Sequence, residues 1–129
     1  MPPIDQLQRV PPLLLERLEH QGILTTGLLL EVSETPTRRT YLADQLGVTT
    51  NDIDAWRDEA LLLNLASFGP GEQRIFTQAG ILGLDDLLAL EPSPFRERVT
   101  SAAHTLGLEA PGTLALDGWH DQARTLEDE

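Results

Sequence analysis

An internal repeat is the feature that most constrains how this chain can fold. Four short motifs occur twice, in the same order, within the 129 residues. They pair Gly22-Ile23-Leu24 with Gly80-Ile81-Leu82, Thr35-Pro36 with Ser93-Pro94, Leu46-Gly47-Val48 with Leu106-Gly107-Leu108, and Trp56-Arg57-Asp58-Glu59-Ala60 with Trp119-His120-Asp121-Gln122-Ala123. One such match could arise by chance, whereas four in order favour duplication. The sequence therefore predicts a single domain, residues 1–129, containing two diverged copies at about 13–60 and 71–123.

The repeated residues mark where helices should begin and end. A hydroxyl residue followed by proline, as in Thr35-Pro36 and Ser93-Pro94, is typical of a helix start, with the hydroxyl as N-cap and proline at the first helical position. Gly47 and Gly107 should end those helices, because glycine adopts the left-handed conformation at little cost. The tryptophans of the fourth motif lie mid-helix, where they should anchor the core of each copy.

The composition favours helices over strands, because leucine dominates the apolar residues and β-branched residues seldom alternate with polar ones. The predicted helices are 12–21, 25–32, 36–46, 50–65, 71–79, 84–91, 94–106 and 113–126. Thr49 and Asp52 have the spacing of a capping box at the start of helix 50–65, which should join both copies as one rigid piece. The predicted fold is all-α: a compact bundle of about eight short helices built from two diverged helix-hairpin-helix-type repeats, similar to SAM and helix-hairpin-helix domains.

Charge limits the possible partners. The chain has 21 acidic residues, 9 arginines and no lysine, for a net charge of −12. DNA and RNA would be repelled at long range, because their binding rests largely on cations that displace counterions from phosphate. A partner protein with a basic surface would instead be attracted. The sequence thus favours a non-catalytic, acidic protein-interaction or adaptor module.

No residue pattern indicates catalysis, a cofactor or a metal. Cysteine is absent, which excludes disulfides, thiolate nucleophiles and thiolate metal sites. His20, His104 and His120 lack the spacing of a metal motif, and no serine has the context of an activated nucleophile. We therefore expect no enzyme activity. The N-terminus lacks the apolar stretch of a signal peptide, and no apolar run is long enough to span a membrane, so a cytoplasmic protein without a membrane partner is expected.

The segment Phe68-Gly69-Pro70-Gly71-Glu72 supports an alternative, binding of nucleic acid through a glycine hairpin. In DNA-binding hairpins, amides at the start of the following helix face a phosphate. Gly69, Gly71 and Arg74 would form such a site, although Pro70 removes one amide and Glu72 adds negative charge. The first copy has Val10-Pro11-Pro12 there, without glycine.

The segment Leu42-Ala43-Asp44-Gln45-Leu46-Gly47-Val48, followed by the predicted helix 50–65 that carries Trp56, also has the order of a helix-turn-helix motif. Its second helix would have to enter the major groove, and it carries several carboxylates against one arginine. A helix of that charge would approach two phosphate strands at high electrostatic cost, so DNA recognition by this segment is disfavoured.

The order of motifs resembles the domain-of-unknown-function family numbered 4332 over about residues 13–126. The resemblance rests first on Gly22-Ile23-Leu24, Thr35-Pro36, Leu42-Ala43-Asp44-Gln45-Leu46-Gly47-Val48, Ile53-x-x-Trp56, Ala60-Leu61-Leu62 and Phe68-Gly69-Pro70-Gly71. It continues with Gln78-Ala79-Gly80-Ile81, Asp86-Leu87-Leu88 and Trp119-x-x-Gln122-Ala123. It implies a compact helical fold related to helix-hairpin-helix domains and no established activity. The acidity, the lack of lysine and Pro11-Pro12 depart from the family pattern.

A third hypothesis is a small-ligand or enzyme site in a cleft between the copies.

Overall fold

The described part of the chain is helical. A computed structural model of the protein describes residues 2–128. A short 3-10 helix, Ile4–Gln6, precedes eight α-helices: α1 (Pro12–His20), α2 (Thr26–Val32), α3 (Pro36–Leu46), α4 (Thr50–Leu63), α5 (Pro70–Gln78), α6 (Leu84–Leu88), α7 (Pro92–Thr105) and α8 (Thr113–Asp128). Pro3 and Thr25 form an isolated β-bridge, and residues 2–128 contain no strand. The all-α prediction is confirmed, while the helix-hairpin-helix character of the repeats stays a prediction.

The chain divides into a first unit, Met1–Asn64, and a second unit, Leu65–Glu129. Each unit holds four α-helices, α1–α4 and α5–α8. In the first unit α4 packs against α2 and α3, and α3 also contacts α1. In the second, α7 packs against α5 and α8, and α6 packs against α8. Helix α4 ends at Leu63, within the first unit, and the duplication and the rigid junction through residues 50–65 stay predictions.

Threonine side chains cap three helix starts in the first unit. Each N-cap hydroxyl accepts a hydrogen bond from the amide three residues later: Thr25 from Leu28, Thr35 from Arg38, and Thr49 from Asp52. The Asp52 carboxylate accepts the Thr49 amide in return, at 3.0 Å. The predicted capping box is therefore confirmed, and local polar residues satisfy amides that have no partner inside the helix.

The predicted start of α7 is wrong by two residues. The helix begins at Pro92, and its N-cap, Glu91, makes no side-chain capping bond. Ser93 and Pro94 lie inside the first turn. Proline is tolerated at all of these positions because amides of the first turn need no intrahelical acceptor, so the earlier proline can take the first helical position. As a result α7 has 14 residues, whereas α3 has 11.

Four glycines with positive φ end helices at corresponding places in the two units. They are Gly22 (81°) and Gly47 (70°) in the first unit, and Gly80 (79°) and Gly107 (68°) in the second. In each case the next amide donates to the carbonyl five residues earlier: Ile23 to Leu18, Val48 to Ala43, Ile81 to Phe76 and Leu108 to Ala103, all at 2.8–3.0 Å. This is the Schellman pattern, and the predicted left-handed stops at Gly47 and Gly107 are confirmed.

Two glycine-to-alanine substitutions in the second unit should change stability in opposite directions. Neither Gly107 nor Gly118 has an atom within 4 Å of an added Cβ, but only Gly107 has positive φ. We expect Gly107→Ala to lower the free energy of unfolding by about 1 kcal/mol, because alanine is strained there. Gly118→Ala, inside α8, should raise it by roughly 0.5–1 kcal/mol. Urea unfolding of both variants tests this prediction. Changes of the same sign in the two free energies of unfolding would contradict it.

The cores of the two units differ in chemistry. The first unit has an aliphatic core around Trp56, with Leu18, Leu29 and Ile53 fully buried. The second unit has an aromatic core in which Phe68, Phe76, Phe95 and Trp119 meet edge to face. Both tryptophans are buried, as predicted from their positions. The grooves described below are open to solvent.

Candidate interaction surface

Three arginines converge on the C-terminal end of α2. Each donates to main-chain carbonyls that the helix itself leaves without a partner: Arg57 to Leu30 at 2.9 Å, Arg38 to Glu31 at 3.1 Å, and Arg39 to Ser33 at 2.8 Å and Glu34 at 3.2 Å. Arg57 also donates to the buried Ser33 hydroxyl at 2.6 Å. Burial, followed by the positive charge of Arg39, lowers the pKa of Arg57 from its ordinary value. These guanidinium groups therefore act as internal helix caps.

The remaining arginines of the first unit are also committed internally. Arg9 forms an ion pair with Asp58 at 3.0 Å, and Arg17 donates to the Leu46 carbonyl at 3.0 Å. Several exposed carboxylates of the same unit, in contrast, make no hydrogen bond or ion pair with any described residue. These are Asp5, Glu16, Glu19, Glu31 and Asp44. The charged groups of this unit that can contact a partner without losing an internal bond are consequently negative.

The second unit does not share this arrangement. Arg96 pairs with Asp117 at 2.6 Å, and Arg124 donates to the His120 ring at 3.2 Å. Arg74 and Arg98 are exposed and bind no other group within the described part of the chain. The second unit thus offers a potential partner charges of both signs.

An open apolar groove lies between α2 and α3 in the first unit; we call it the α2–α3 groove. Its apolar lining consists of Ile23, Leu28, Val32, Tyr41 and Leu42, and its polar lining of Gln21, Glu31, Arg38 and Gln45. Leu28 and Val32 are one turn apart on α2 and face Tyr41 of α3. Their exposed fractions are 38%, 36% and 68%, so three large apolar side chains remain in contact with water at one place. Such clustering is typical of a binding surface, whereas isolated exposed leucines are not.

An open groove of the second unit is polar; it is lined by α7 and by the end of α5, with no lining residue from α6. Counting back from the glycine stops, Ser101 takes the place of Tyr41 and Thr105 that of Gln45. Pro94, Glu97, Arg98 and Ala102 complete most of its lining, and both grooves measure about 480 Å³. The two grooves therefore have similar volumes but differ in chemistry and in the helices that form them. No large apolar side chain is exposed in this second groove.

The predicted nucleic-acid residues lie at the start of α5. Gly69 is the N-cap, and Gly71 and Arg74 are exposed. However, the Glu72 carboxylate accepts the Gly69 amide at 3.2 Å, which places an anion at the helix N-terminus where a phosphate would bind. Glu109 lies in the same surface groove. Binding of nucleic acid by this hairpin stays a prediction, and the position of Glu72 argues against it on electrostatic grounds.

A buried carboxylate that the sequence analysis did not single out, Glu59 of α4, is 3% exposed. Its two oxygens accept the amides of Gln8 at 2.7 Å and Arg9 at 3.0 Å. Burial raises the pKa of Glu59 from its ordinary value, and the two amide hydrogen bonds act in the opposite direction. Glu59 follows Trp56 by three residues, so helical periodicity places it on the same buried face and could have identified it. Because both oxygens hold main-chain amides, we assign it a structural role.

Gln122 occupies the corresponding position of the second unit, three residues after Trp119. Its side-chain oxygen accepts the Ala66 amide at 3.0 Å, and the Trp119 indole donates to the Ala66 carbonyl at 2.7 Å. Both units therefore use the fourth helix to hold the segment that leads into the first helix of the same unit. In the first unit this segment is further fixed by the Ile4 amide, which donates to the Leu24 carbonyl at 2.9 Å.

The histidines do not assemble into a site. His20 and His104 are exposed on different units, whereas His120 is buried. His120 uses both ring nitrogens: Nε2 is 2.8 Å from the Leu90 carbonyl oxygen, and Nδ1 accepts from Arg124. Within residues 2–128, no group of three or more histidine, aspartate and glutamate side chains is placed to hold a metal ion.

None of the described helices combines the length and the apolar character that crossing a membrane requires.

Searches among curated proteins and among solved structures gave no match. A family model described as "Domain of unknown function (DUF4332)" matches residues 11–126, which is nearly the whole chain. The resemblance stated above on the basis of the motifs is thereby confirmed: the chain belongs to the domain-of-unknown-function family 4332.

Proposed function

We propose that the protein is a non-catalytic interaction module that binds a partner protein carrying a basic surface. The observation that carries the proposal is the internal use of every first-unit arginine, which leaves exposed carboxylates without counter-charges. Glu16, Glu19 and Asp44 are among these carboxylates. Unpaired surface charge of one sign steers an oppositely charged partner toward the surface and raises the rate of association.

The same observations weigh against a catalytic role. Glu59, the one strongly buried carboxylate among the described side chains, has both oxygens engaged by main-chain amides, and the buried His120 has both nitrogens engaged. A general acid or base must reach a proton of the substrate. Neither group is exposed enough to do so, at 3% and 4% of its surface.

Selection from a random-peptide display library tests the sign of the partner's charge. We expect the recovered peptides to be enriched in lysine and arginine, and their affinity to fall as salt is raised, because screening weakens attraction between exposed charges. Recovery of acidic peptides, or of affinities independent of salt, would contradict the proposal. Labelled single- and double-stranded DNA at low salt form the control series, and DNA binding abolished by Arg74→Glu would establish the hairpin alternative.

Charge reversal distinguishes a local surface from bulk acidity. Glu19→Lys with Asp44→Lys changes the first unit, and Glu97→Lys with Glu127→Lys makes the same change of net charge in the second. All four side chains are exposed. We expect the first double variant to weaken binding of a recovered basic peptide by about tenfold, and the second to weaken it much less. Equal losses would mean that only net charge matters.

A further inference from the structure

We infer that the α2–α3 groove is the docking site, and that its occupant is a short amphipathic helix of the partner protein. This inference rests on the proposed function. The helix would present two or three large apolar side chains on one face, with lysine or arginine beside them. Each property of this occupant follows from a feature of the groove.

The spacing of the apolar residues fits a helix. Leu28 and Val32 stand one turn apart on α2, and Tyr41 lies across from them on α3. Side chains four residues apart on an incoming helix have the same separation, so they can lie between these residues as ridges in a groove. Recognition of this kind uses anchors at i, i+4 and i+7.

Tyr41 has the properties of a central contact. It is 68% exposed, and its hydroxyl makes no hydrogen bond with any described residue. An aromatic ring with an unused polar tip gains both apolar burial and a hydrogen bond when a partner covers it. For this reason tyrosine is over-represented among residues that dominate binding energy.

Arg38 lines the groove, but its guanidinium already contacts two neighbouring groups. Its guanidinium donates to the Glu31 carbonyl at 3.1 Å and lies 3.8 Å from the Glu34 carboxylate. Arg38 and Glu34 therefore largely offset each other, while the Glu31 carboxylate remains unpaired within the described residues. Glu31 lies in the lining itself, so a cation on the incoming helix can pair with it.

Two further carboxylates stand next to lining residues in the sequence. Glu19 is two residues from the lining residue Gln21, and Asp44 is adjacent to the lining residue Gln45. Both carboxylates are exposed and unpaired within the described part of the chain. Lysine or arginine flanking the apolar anchors would complement these charges, whereas acidic flanks would be repelled.

The matching position of the second unit supplies an internal comparison. Ser101 stands on α7 six residues before Gly107, as Tyr41 stands on α3 six residues before Gly47. The third helix of a unit therefore does not need an exposed aromatic residue at this position. Replacing Tyr41 should weaken docking without harming the fold.

Synthetic peptides and NMR spectroscopy test the inference. The probe is a helix-forming peptide of about 18 residues, long enough for partial helicity in water, with leucines at i, i+4 and i+7 and lysines elsewhere on its surface. One matched peptide replaces every lysine by glutamate, and a second replaces every leucine by serine. We expect the basic amphipathic peptide to shift the signals of Leu28, Val32 and Tyr41, and each matched peptide to bind at least about tenfold more weakly.

Two variants test whether the basic peptide binds at the α2–α3 groove. Tyr41→Ser copies the second unit and should weaken the basic peptide by about tenfold or more. Leu114→Ser, at a side chain that is 89% exposed and outside the groove, should leave its affinity unchanged. Thermal unfolding is the control that both variants are folded. Unchanged binding by the Tyr41→Ser variant would overturn the docking site.

The remaining outcomes separate failure of the inference from failure of the proposed function. If the basic peptide binds but shifts only signals outside the α2–α3 groove, the inference is wrong and the proposed function stands. If no basic peptide binds at millimolar concentration, both are wrong. Self-association of the wild type that Tyr41→Ser abolishes would make the occupant a second copy of this chain, and would overturn the helical partner.

Discussion

Replacement of Phe76 by alanine should lower the free energy of unfolding of the second unit by about 3–5 kcal/mol. Phe76 is fully buried and meets three aromatic rings edge to face: Phe68 at 4.8 Å, Trp119 at 5.7 Å and Phe95 at 5.8 Å between centroids. The substitution removes the transfer energy of the ring, leaves a cavity, and breaks all three contacts at once. No other side chain of this core makes as many ring contacts among the described residues.

The first unit suggests the matched variant. Leu18 occupies the corresponding position, since its carbonyl accepts the Ile23 amide as that of Phe76 accepts the Ile81 amide. Phe76→Leu should therefore cost clearly less than Phe76→Ala, because leucine fills most of the volume and suits this position of the helix. Urea unfolding monitored by NMR signals of the second unit measures both. A loss below about 1 kcal/mol for Phe76→Ala would mean that the aromatic contacts contribute little.

Local sequence signals were sufficient to predict most helix boundaries. Thr35-Pro36, the Thr49–Asp52 pair and Gly47 act through hydrogen bonds that span only a few residues. Such signals can be recognised without knowing the fold. The same local rules gave a wrong N-cap at Ser93, because Pro92 offered an equally suitable start two residues earlier and no capping bond decides between them.

Features that depend on distant residues were not predictable. The 3-10 helix Ile4–Gln6 was missed because the segment around it is held by Glu59 and Leu24, which are far away in sequence. A similar limit applies to the α2–α3 groove. Leu28 and Tyr41 lie in predicted helices, and only the tertiary packing shows that both side chains are exposed at one groove. The acidic composition, in contrast, can be read directly from the sequence. The hydrogen bonds from arginines to internal carbonyls can be seen only in the structure.

Loss of the Glu59 carboxylate should be the most damaging single change to the first unit's polar interactions. Glu59→Ala removes the carboxylate that accepts the main-chain amides of Gln8 and Arg9, and we expect a loss of about 2–4 kcal/mol at pH 7. Amide hydrogen exchange should show that Gln8 and Arg9 lose protection. Glu59→Gln is the matched variant: it keeps one acceptor, as Gln122 does in the second unit, so it should cost less. Equal losses for both variants would mean that the amide bonds do not carry the effect.

The pH dependence of stability, compared between the wild type and the Glu59→Gln variant, tests whether burial dominates the pKa of Glu59. Burial raises the pKa of Glu59, so over the interval between its unfolded and folded pKa values the folded state binds more protons than the unfolded state. Stability contributed by this group is therefore fully present below the unfolded pKa of about 4.3 and is lost as pH rises through the folded pKa. The other carboxylates are common to the wild type and the Glu59→Gln variant, so the difference between the two unfolding free energies isolates Glu59. We expect the wild type to lose stability relative to Glu59→Gln as pH is raised from about 4 to 7. A relative gain over that range would show that the two amide bonds outweigh burial and that the folded pKa lies below the unfolded one.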